Sequence, residues 1–471
     1  MHSSIQAMKK IPFKEIARTV GDANLLTSPE ERYCYSYDAS RLQAIPDAVA
    51  FPGSAEEASQ LLRLANRDRF PVFARGAGSG MVGAALPFGG GLVMPLTRLN
   101  RILEIDADDM VAVVEPGVVT GELQEQVRRE GLFYPPDPAS LRFSTIGGNV
   151  AMCAGGPRAV KYGVTRDYVM GLEVVLPTGE IIRTGGRTMK GVVGYDLTRL
   201  MVGSEGTLGV FTRIILRLLP APEAVRALLA VFPRLDDAAR AVSDIIRNRI
   251  IPSTLELMDQ ASIEVVERHV SIGLPVHAEA LLLIEVDGRK NALDGEAEEI
   301  IKICAAAGAS EVEAARSEED RDRLWRARRS ISPALGRIRP HKINEDVAVP
   351  RSRIPELIRS IRAIAERFDL IIVNFGHAGD GNIHTNIMLD RKNADELQRA
   401  GKAVEELFRE VLRLGGTLSG EHGVGVAKSP FFEWEVGRDG LEAMRRIKLA
   451  LDPLNILNPG KMFTPNRAFL E

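Results

Sequence analysis

Three cysteines are too few and too far apart to organise the chain. Cys34, Cys153 and Cys304 are scattered among 471 residues. This spacing excludes a disulfide framework, a CxxC redox pair and a cysteine-ligated iron–sulfur cluster. A reducing, cytoplasmic location is therefore expected.

The chain also lacks long apolar runs and a dominant charge. The longest apolar runs, such as 280–284 and 370–373, fall far short of the ~20 residues that a membrane-spanning helix needs. No signal peptide is expected, because the first residues contain no apolar stretch of sufficient length. The net charge is −3 and no long run carries one sign, so a nucleic-acid-binding protein is a poor candidate. A content of 45% hydrophobic and 26% charged residues is ordinary for a soluble globular protein.

Glycine, in contrast, is concentrated in one region. More than half of the 43 glycines lie between residues 75 and 210. Such a block indicates backbone that approaches another group closely. Gly78, Gly80 and Gly83 match GxGxxG, but the dinucleotide-binding fold requires a helix there, and the sequence continues Ala-Ala-Leu-Pro-Phe-Gly-Gly-Gly. Since proline and glycine do not propagate a helix, we reject that fold and predict a tight loop whose N–H groups bind phosphate.

Two more small-residue loops follow the first. The motifs, in order, are RGAGSG from Arg75, TIGGNVAMCAGG from Thr145, KYG from Lys161 and GSEGTLG from Gly203. Together they resemble the FAD-binding domain of the vanillyl-alcohol oxidase type, also called the p-cresol methylhydroxylase type, over residues 40–220. The resemblance implies that the loops cradle the FAD pyrophosphate and line the isoalloxazine. The cofactor-binding residues that it implies are Arg75, Gly76, Ala77, Gly78, Ser79, Gly80, Met81, Pro135, Asp137, Ser144, Thr145, Gly147, Gly148, Asn149, Gly155, Gly156, Tyr162, Gly163, Glu205, Gly209, Val210 and Asn458.

Some members of that family attach the flavin covalently through a histidine beside the first loop. Here Ser79 and its neighbours occupy the corresponding positions, and no histidine lies between His2 and His269. We therefore predict that FAD is bound non-covalently.

The pattern of elements predicts an α+β protein of two domains. Residues 1–222 form the FAD-binding domain, with two α+β subdomains, and Pro220-Ala-Pro222 marks its end. Strands and helices alternate from 223 to 418, which predicts a second domain with an antiparallel sheet covered by helices. The resemblance implies that this domain is a ferredoxin-like cap that carries the substrate site. Residues 419–471 are expected to return to the FAD domain, because their Pro- and Asn-rich end needs a surface to dock onto.

Histidine is scarce, and three of the seven histidines lie in two glycine-flanked segments. His377 and His384 flank 379–382, which we interpret as a hairpin loop. In that register His377 faces His384, and directly opposed Cβ atoms ~5 Å apart suit chelation of one ion. Asn386 shares the face of His384. Glu421 would complete a His-His-carboxylate set, which suits Zn, Mn or Fe(II).

The motifs HAGDGNIH, SGEHGVG and LNPGKMF resemble the C-terminal domain of the FAD-linked D-2-hydroxyacid dehydrogenases. That group includes the catalytic D subunit of bacterial glycolate oxidase, D-lactate dehydrogenase and D-2-hydroxyglutarate dehydrogenase. The resemblance implies that His377, His384 and Glu421 bind a metal and that His422, beside Glu421, is the general base. It also implies that Arg328, Ser332, Lys342 and Asn386 bind the substrate, although the arginine cluster at 326–329 leaves the choice of arginine open.

The implied reaction is oxidation of glycolate or D-lactate to the 2-oxoacid, with transfer of a hydride to flavin N5. D-2-hydroxyglutarate is the alternative substrate, and a non-catalytic FAD electron-transfer subunit is the alternative of another class. The presence of both metal and base residues argues against the latter. Because no NAD fingerprint or cysteine cluster is present, we expect an iron–sulfur subunit, an electron-transfer flavoprotein or a quinone to accept the electrons. Such a partner would allow peripheral attachment at the inner face of a membrane, and a homodimer is left open.

Overall fold

The computed structural model describes residues 11–463 and divides into two compact units. Among the described residues, the first unit contains the chain from Ile11 to Ala154, then Val164–Ala221, and the chain from Glu421 to Phe463. The second unit contains Gly155–Gly163 and Pro222–Gly420. The predicted division placed 155–163 in the FAD domain. These residues instead group with the second unit, because Lys161 and Tyr162 bind the carboxylate of Asp287 there.

Helices of very different lengths occur along the described chain. They are α1 (Phe13–Val20), α2 (Pro29–Tyr33), α3 (Ala55–Asp68), α4 (Thr120–Arg129), α5 (Ile146–Met152), α6 (Ala159–Tyr162), α7 (Leu197–Met201), α8 (Leu235–Arg247), α9 (Gln260–Val270), α10 (Lys290–Ala307), α11 (Glu318–Leu335), α12 (Ile354–Arg367), α13 (Ala394–Arg413) and α14 (Phe432–Leu451).

The strands are short in the first unit and longer in the second. They are β1 (Leu25–Leu26), β2 (Ala48–Ala50), β3 (Val72–Arg75), β4 (Leu92–Pro95), β5 (Ile102–Asp106), β6 (Val111–Val114), β7 (Leu132–Phe133), β8 (Val169–Val175), β9 (Ile181–Gly185), β10 (Val210–Arg217), β11 (Leu219–Pro220), β12 (Ala224–Phe232), β13 (Thr254–Asp259), β14 (Ala280–Gly288), β15 (Glu311–Ala314), β16 (His341–Ala348), β17 (Ile371–His377) and β18 (Asn382–Leu389).

The first unit contains two main sheets. One has four strands in the order β1-β2-β4-β3, and α3 packs its apolar stripe into the core beside it. Ser54 caps α3 by accepting a hydrogen bond from the Glu57 N–H. The other sheet has five antiparallel strands in the order β5-β6-β10-β8-β9.

The C-terminal segment of the first unit lies beside β3. The Val72 N–H donates to the Ile456 carbonyl, and the Asn458 N–H donates to the Val72 carbonyl. Ile456 and Leu457 are buried in the same core as α3. Residues 456–458 are therefore fixed at the strand that leads into the first glycine loop.

The second unit is built on one antiparallel sheet of seven strands in the order β15-β12-β14-β13-β17-β18-β16. Helices α9 and α11 pack on one face, where Leu281, Leu283 and Met258 contact Ile331 and its neighbours. Both faces of β14 are buried, which explains its continuous run of apolar residues. Mixed helices and antiparallel strands confirm the predicted α+β class. Among residues 11–463, no helix is long and apolar enough to span a bilayer.

Candidate functional site

The first glycine loop leaves β3 without forming a helix. Residues 76–91 contain only turns and bends before β4 begins, which agrees with our rejection of the dinucleotide-binding fold. Gly78 has a φ of +72°, and the Arg75 guanidinium lies so close that a Cβ at Gly78 would collide with it. The buried Arg75 thus lies beneath its own loop and donates to the Tyr37 carbonyl at 2.7 Å.

The second loop packs directly against the first. Thr145 caps α5 by accepting a hydrogen bond from the Gly148 N–H at 3.3 Å. A Cβ at Gly76 would lie less than 3.0 Å from the Thr145 hydroxyl oxygen. A Cβ at Gly147 would lie equally close to Pro116. A small residue is therefore required at Gly76 for the first loop to approach α5, and at Gly147 for α5 to approach Pro116.

The third loop is attached to the second through Glu205. Its N–H donates to the Ala151 carbonyl, and the Gly203 N–H donates to the Val150 carbonyl, both at 2.9 Å. The buried Glu205 carboxylate accepts the N–H groups of Val424 and Gly425 at 2.7 and 2.8 Å. Burial raises the pKa of Glu205 despite these two hydrogen bonds.

The C-terminal segment closes this arrangement from another side. The Asn458 side-chain amide donates to the Glu205 carbonyl at 2.6 Å and to the Ala84 carbonyl at 2.9 Å. Lys461 is buried, donates to the Leu86 carbonyl, and lies 4.8 Å from the centre of the Phe73 ring. Burial lowers the pKa of Lys461 to about 7.

The structure thus brings the three predicted loops together, and we call this arrangement the cradle (residues 75–81, 144–152 and 203–210). Its residues fit a long polar ligand. Among residues 11–463, Arg75 Nη1, Ser204 Oγ and Asn458 Oδ1 are buried without a protein hydrogen-bond partner. No heavy atom lies within 4 Å of a Cβ built at Gly80.

The other predicted cofactor residues are distributed over both units. Asn149 is buried and donates to Thr120 Oγ1, and Gly209 packs against Val174. Tyr162 donates its hydroxyl to Asp287 at 2.9 Å. In the first unit lie Ala77, Ser79, Met81, Pro135, Asp137, Ser144 and Val210, and in the second Gly155, Gly156 and Gly163.

A second group of polar residues lies on the α11 face of the sheet in the second unit. Along β13, β17 and β18 this face changes from apolar at one end to polar at the other, where Glu256, His377 and His384 are buried. The predicted hairpin register is wrong, because His377 lies opposite Asn382 and His384 lies opposite Phe375. The loop is 378–381, one residue earlier than predicted. The two histidines are therefore diagonal neighbours, and their side chains still share one face.

The two imidazoles nevertheless meet. His377 Nε2 lies 3.4 Å from His384 Nε2, and the ring planes are nearly perpendicular, at 87°. His377 Nδ1 lies 2.5 Å from Glu256 Oε1. His384 Nδ1 lies 3.7 Å from Asp346 Oδ1, on the strand that follows in the sheet. The pair is thus held between two buried carboxylates.

Glu256 also binds Arg328. The Arg328 Nε donates to Glu256 Oε2 at 2.6 Å, and the guanidinium lies 4.6 Å from the centre of the Phe375 ring. Burial by itself raises the pKa of Glu256, but His377 and Arg328 outweigh it, and the pKa of this carboxyl is lowered. The terminal nitrogens of Arg328 make no hydrogen bond to any residue between 11 and 463.

The remaining predicted substrate residues form two pairs. Lys342 donates to Ser332 Oγ at 3.0 Å, near the surface. Asn386 is buried, and its Oδ1 accepts from the Asn344 amide at 2.8 Å. Of the predicted substrate residues, Asn386 donates to the His384 carbonyl at 3.2 Å, and Arg328 binds Glu256, the carboxylate that contacts His377.

Glu421 and His422 belong to the first unit, where both are half-buried. The next residue, Gly423, has a φ of +87°, and a Cβ there would collide with Met152 of α5 and with Glu205. The predicted base is therefore held beside the second and third loops of the cradle.

The sequence did not reveal two acidic residues that contact His377 and His384; we call these four residues the histidine cluster. Glu256 lies in the strand sequence Thr-Leu-Glu-Leu-Met-Asp, and Asp346 in Asn-Glu-Asp-Val-Ala. For Glu256, an acidic residue between two leucines of a strand was the available signal, because a buried carboxylate needs a partner. The identity of that partner depends on strand pairing.

Comparison with known proteins identifies the family. Residues 46–185 match the family described as FAD binding domain. Residues 221–462, more than half of the chain, match the family described as FAD linked oxidases, C-terminal domain. The chain belongs to the FAD-linked oxidases. It is accordingly an FAD-dependent oxidoreductase, as the sequence predicted.

Proteins of known name align with this chain over almost their full length. Glycolate oxidase subunit GlcD from Bacillus subtilis is 48% identical over 451 residues, which cover 96% of each chain. D-lactate dehydrogenase from Anaerostipes hadrus is 34% identical over 462 residues, again 96% of each. The solved structure of p-cresol methylhydroxylase with substrate bound superimposes with a TM-score of 0.79, at 18% identity and 96% coverage of both chains. This last likeness confirms the predicted vanillyl-alcohol oxidase-type fold.

Proposed function

We propose that this FAD-linked oxidase oxidises a D-2-hydroxyacid, glycolate or D-lactate, to the corresponding 2-oxoacid. The observation that carries the proposal is the pair of imidazole nitrogens beside Arg328 on one sheet face. A 2-hydroxyacid offers a hydroxyl for a metal ion and a carboxylate for an arginine. The names of the aligned relatives, glycolate oxidase and D-lactate dehydrogenase, support the same substrate class.

FAD supplies the two-electron acceptor for this oxidation. The cradle suits FAD in two ways. Small residues lie where its loops approach one another, and some of its buried polar atoms have no hydrogen-bond partner among residues 11–463. We infer non-covalent attachment, because no histidine lies near the first loop. Acid precipitation should leave yellow flavin in the supernatant, whereas flavin in the pellet would contradict this inference.

A divalent cation, Zn, Mn or Fe(II), would supply Lewis acidity at the histidine pair. The observed 3.4 Å between the Nε2 atoms fits such an ion, since two nitrogens each ~2.0–2.1 Å from a tetrahedral ion lie about 3.3 Å apart. We propose His377 and His384 as ligands. Glu421 is the third proposed ligand, as the sequence resemblance implies.

The other residues have distinct roles in this proposal. Arg328 and Lys342 hold the substrate carboxylate by charge-assisted hydrogen bonds. Ser332 holds Lys342, and Asn386 offers an amide beside His384. His422 takes the hydroxyl proton as general base, which is worth about 10²–10⁴-fold in rate.

Anaerobic bleaching of the flavin tests the proposal. The FAD-loaded protein is mixed with the D- and L-forms of lactate and 2-hydroxyglutarate and with glycolate, and absorbance at the flavin band is followed. Bleaching by glycolate or D-lactate is expected. Bleaching by D-2-hydroxyglutarate alone would select the alternative substrate. Failure with every acid would favour a non-catalytic electron-transfer subunit.

The reduced flavin needs an acceptor. We propose a partner protein, an iron–sulfur subunit or an electron-transfer flavoprotein, or a quinone. The Bacillus subtilis relative is named as a subunit, which supports a protein partner. Such a partner would also determine any association with the inner face of a membrane.

A further inference from the structure

Glu256 is the one carboxylate that contacts both a proposed metal ligand and the proposed substrate arginine among the described residues. Its Oε1 lies 2.5 Å from His377 Nδ1, and its Oε2 lies 2.6 Å from Arg328 Nε. The side chain is completely buried on β13, opposite His377 in the sheet. Each carboxylate oxygen therefore serves a different functional group.

The first contact determines which nitrogen of His377 carries a proton. An ionised carboxylate accepts hydrogen bonds and donates none, so the proton lies on Nδ1. The neutral ring then presents the lone pair of Nε2, which is the atom that lies 3.4 Å from His384 Nε2. Without this contact the ring could turn or adopt the other tautomer.

The second contact fixes the direction of Arg328. Only Nε is engaged by Glu256, and the guanidinium carbon lies 4.6 Å from the centre of the Phe375 ring. The group is thus held by one hydrogen bond and one cation–π contact. Its terminal nitrogens keep the fork geometry that suits a carboxylate.

We propose that Glu256 is a positioning residue that sets the metal-binding tautomer of His377 and the orientation of Arg328 together. The inference rests on the proposed function, because it assigns the metal and substrate carboxylate to these two side chains. It predicts that the loss of one buried carboxylate weakens metal binding and substrate binding in parallel.

The chain contains a matched control. Glu285 is also buried, lies on the neighbouring strand β14, and binds the same helix through Arg321 Nε at 2.5 Å and Trp325 Nε1 at 2.7 Å. It has no hydrogen bond to His377 or Arg328. A merely structural anchor of α11 would make the Glu256→Gln and Glu285→Gln variants equivalent.

Metal affinity is the first measurement. Zn²⁺ and Mn²⁺ are titrated calorimetrically into the chelator-treated, FAD-loaded full chain. Glu256→Gln should weaken the dissociation constant by about 10–100-fold. Glu285→Gln should leave it within about threefold, by the same reasoning. Equal affinities of wild type and Glu256→Gln would overturn the inference while leaving the proposed function intact.

The tautomer is the second measurement and needs no metal. Side-chain ¹⁵N shifts of His377, assigned by comparison with His377→Gln, are recorded on metal-free protein. Wild type should show a protonated Nδ1 and an unprotonated Nε2, and Glu256→Gln should lose this pattern. If the wild type binds neither ion, the metal part of the proposed function fails. Separately, an unchanged ¹⁵N protonation pattern of His377 in Glu256→Gln would refute the inference.

Steady-state kinetics distinguish positioning from loss of folding. Glu256→Gln should raise KM for the hydroxyacid as well as lower kcat, because Arg328 loses its anchor. If Glu256→Gln does not fold by circular dichroism, Glu256→Asp takes its place, since it keeps the charge and withdraws the carboxylate by one methylene. Wild-type metal affinity and KM in a folded Glu256→Asp variant would contradict the proposal.

Discussion

The contact between the first and second loops can be tested by adding one methyl group. In Gly76→Ala the new Cβ would lie less than 3.0 Å from the Thr145 hydroxyl. The backbone itself tolerates alanine, because Gly76 does not have a positive φ. The strain therefore has to be relieved by Thr145, which must turn away and release the Gly148 N–H that it accepts at 3.3 Å.

The magnitude follows from these two effects. Loss of an N-cap costs about 0.5–2 kcal/mol, and insertion of a methyl group into a packed site costs about 1–3 kcal/mol. We expect the free energy of unfolding to fall by about 1–3 kcal/mol, with the melting temperature lower by roughly 2–4 °C per kcal/mol. FAD affinity should fall as well, because both loops belong to the cradle.

A double-mutant cycle isolates the contact. Urea unfolding and flavin fluorescence titration are measured for Gly76→Ala, Thr145→Ala and the double variant of the full chain. Thr145→Ala removes the hydroxyl that the new methyl group would meet. Gly76→Ala should therefore lower the free energy of unfolding less in the Thr145→Ala background than in the wild type, with a coupling of about 0.5–3 kcal/mol. Additive effects would refute the proposed packing.

Gly80→Ala is the matched control for this cycle. No heavy atom lies within 4 Å of a Cβ at Gly80. Stability of the FAD-free protein should change by no more than about 0.5 kcal/mol. Weaker FAD binding in this variant would place the cofactor against Gly80, whereas a large loss of stability would contradict the loop geometry.

The remaining predictions concern chemistry and pH. His422→Ala should lower kcat by about 10²–10⁴-fold while FAD stays bound, as flavin absorbance after gel filtration would show; unchanged turnover would exclude His422 as the base. Prolonged chelation should abolish activity and added Zn²⁺ or Mn²⁺ should restore it, whereas full activity in metal-depleted protein would remove the metal from the proposal. Burial lowers the pKa of Lys461 to about 7 from 10.5, with Glu205 and Asp38 as the facing carboxylates. Between pH ~7 and ~10.5 the unfolded chain therefore binds more protons than the folded one. The free energy of unfolding should then rise with pH across that window, by at most ~1.4 kcal/mol per pH unit. Urea unfolding at several pH values checks this rise, which Lys461→Met should flatten.

Much of the second unit could be predicted from the sequence because its elements are long and strongly patterned. Strands and helices alternate from β12 to α13, as predicted for residues 223–418, and the strands form one antiparallel sheet. The hairpin at His377 was predicted in type but not in register. A shift by one residue is decided by pairing with β13, where His377 lies opposite Glu256.

In the cradle, too, the motifs are visible in the sequence, whereas the contacts between them are not. Gly76 and Thr145 lie in motifs whose small residues are visible in the sequence, yet their contact requires two loops to meet. The role of Glu205 as acceptor for the Val424 and Gly425 N–H groups joins residues far apart in the chain. Lys461 acquires its lowered pKa only through burial.

By itself, the sequence determined the α+β class, the order of the flavin loops, and the residue types available for metal and substrate chemistry. These depend on local requirements, such as small residues at close approaches and alternation along strands. Only the tertiary structure decided that Glu256 is shared by His377 and Arg328, and that Asp346 lies beside His384. The physical reason is that a buried charge is paired with whatever strand and helix packing bring within hydrogen-bonding distance.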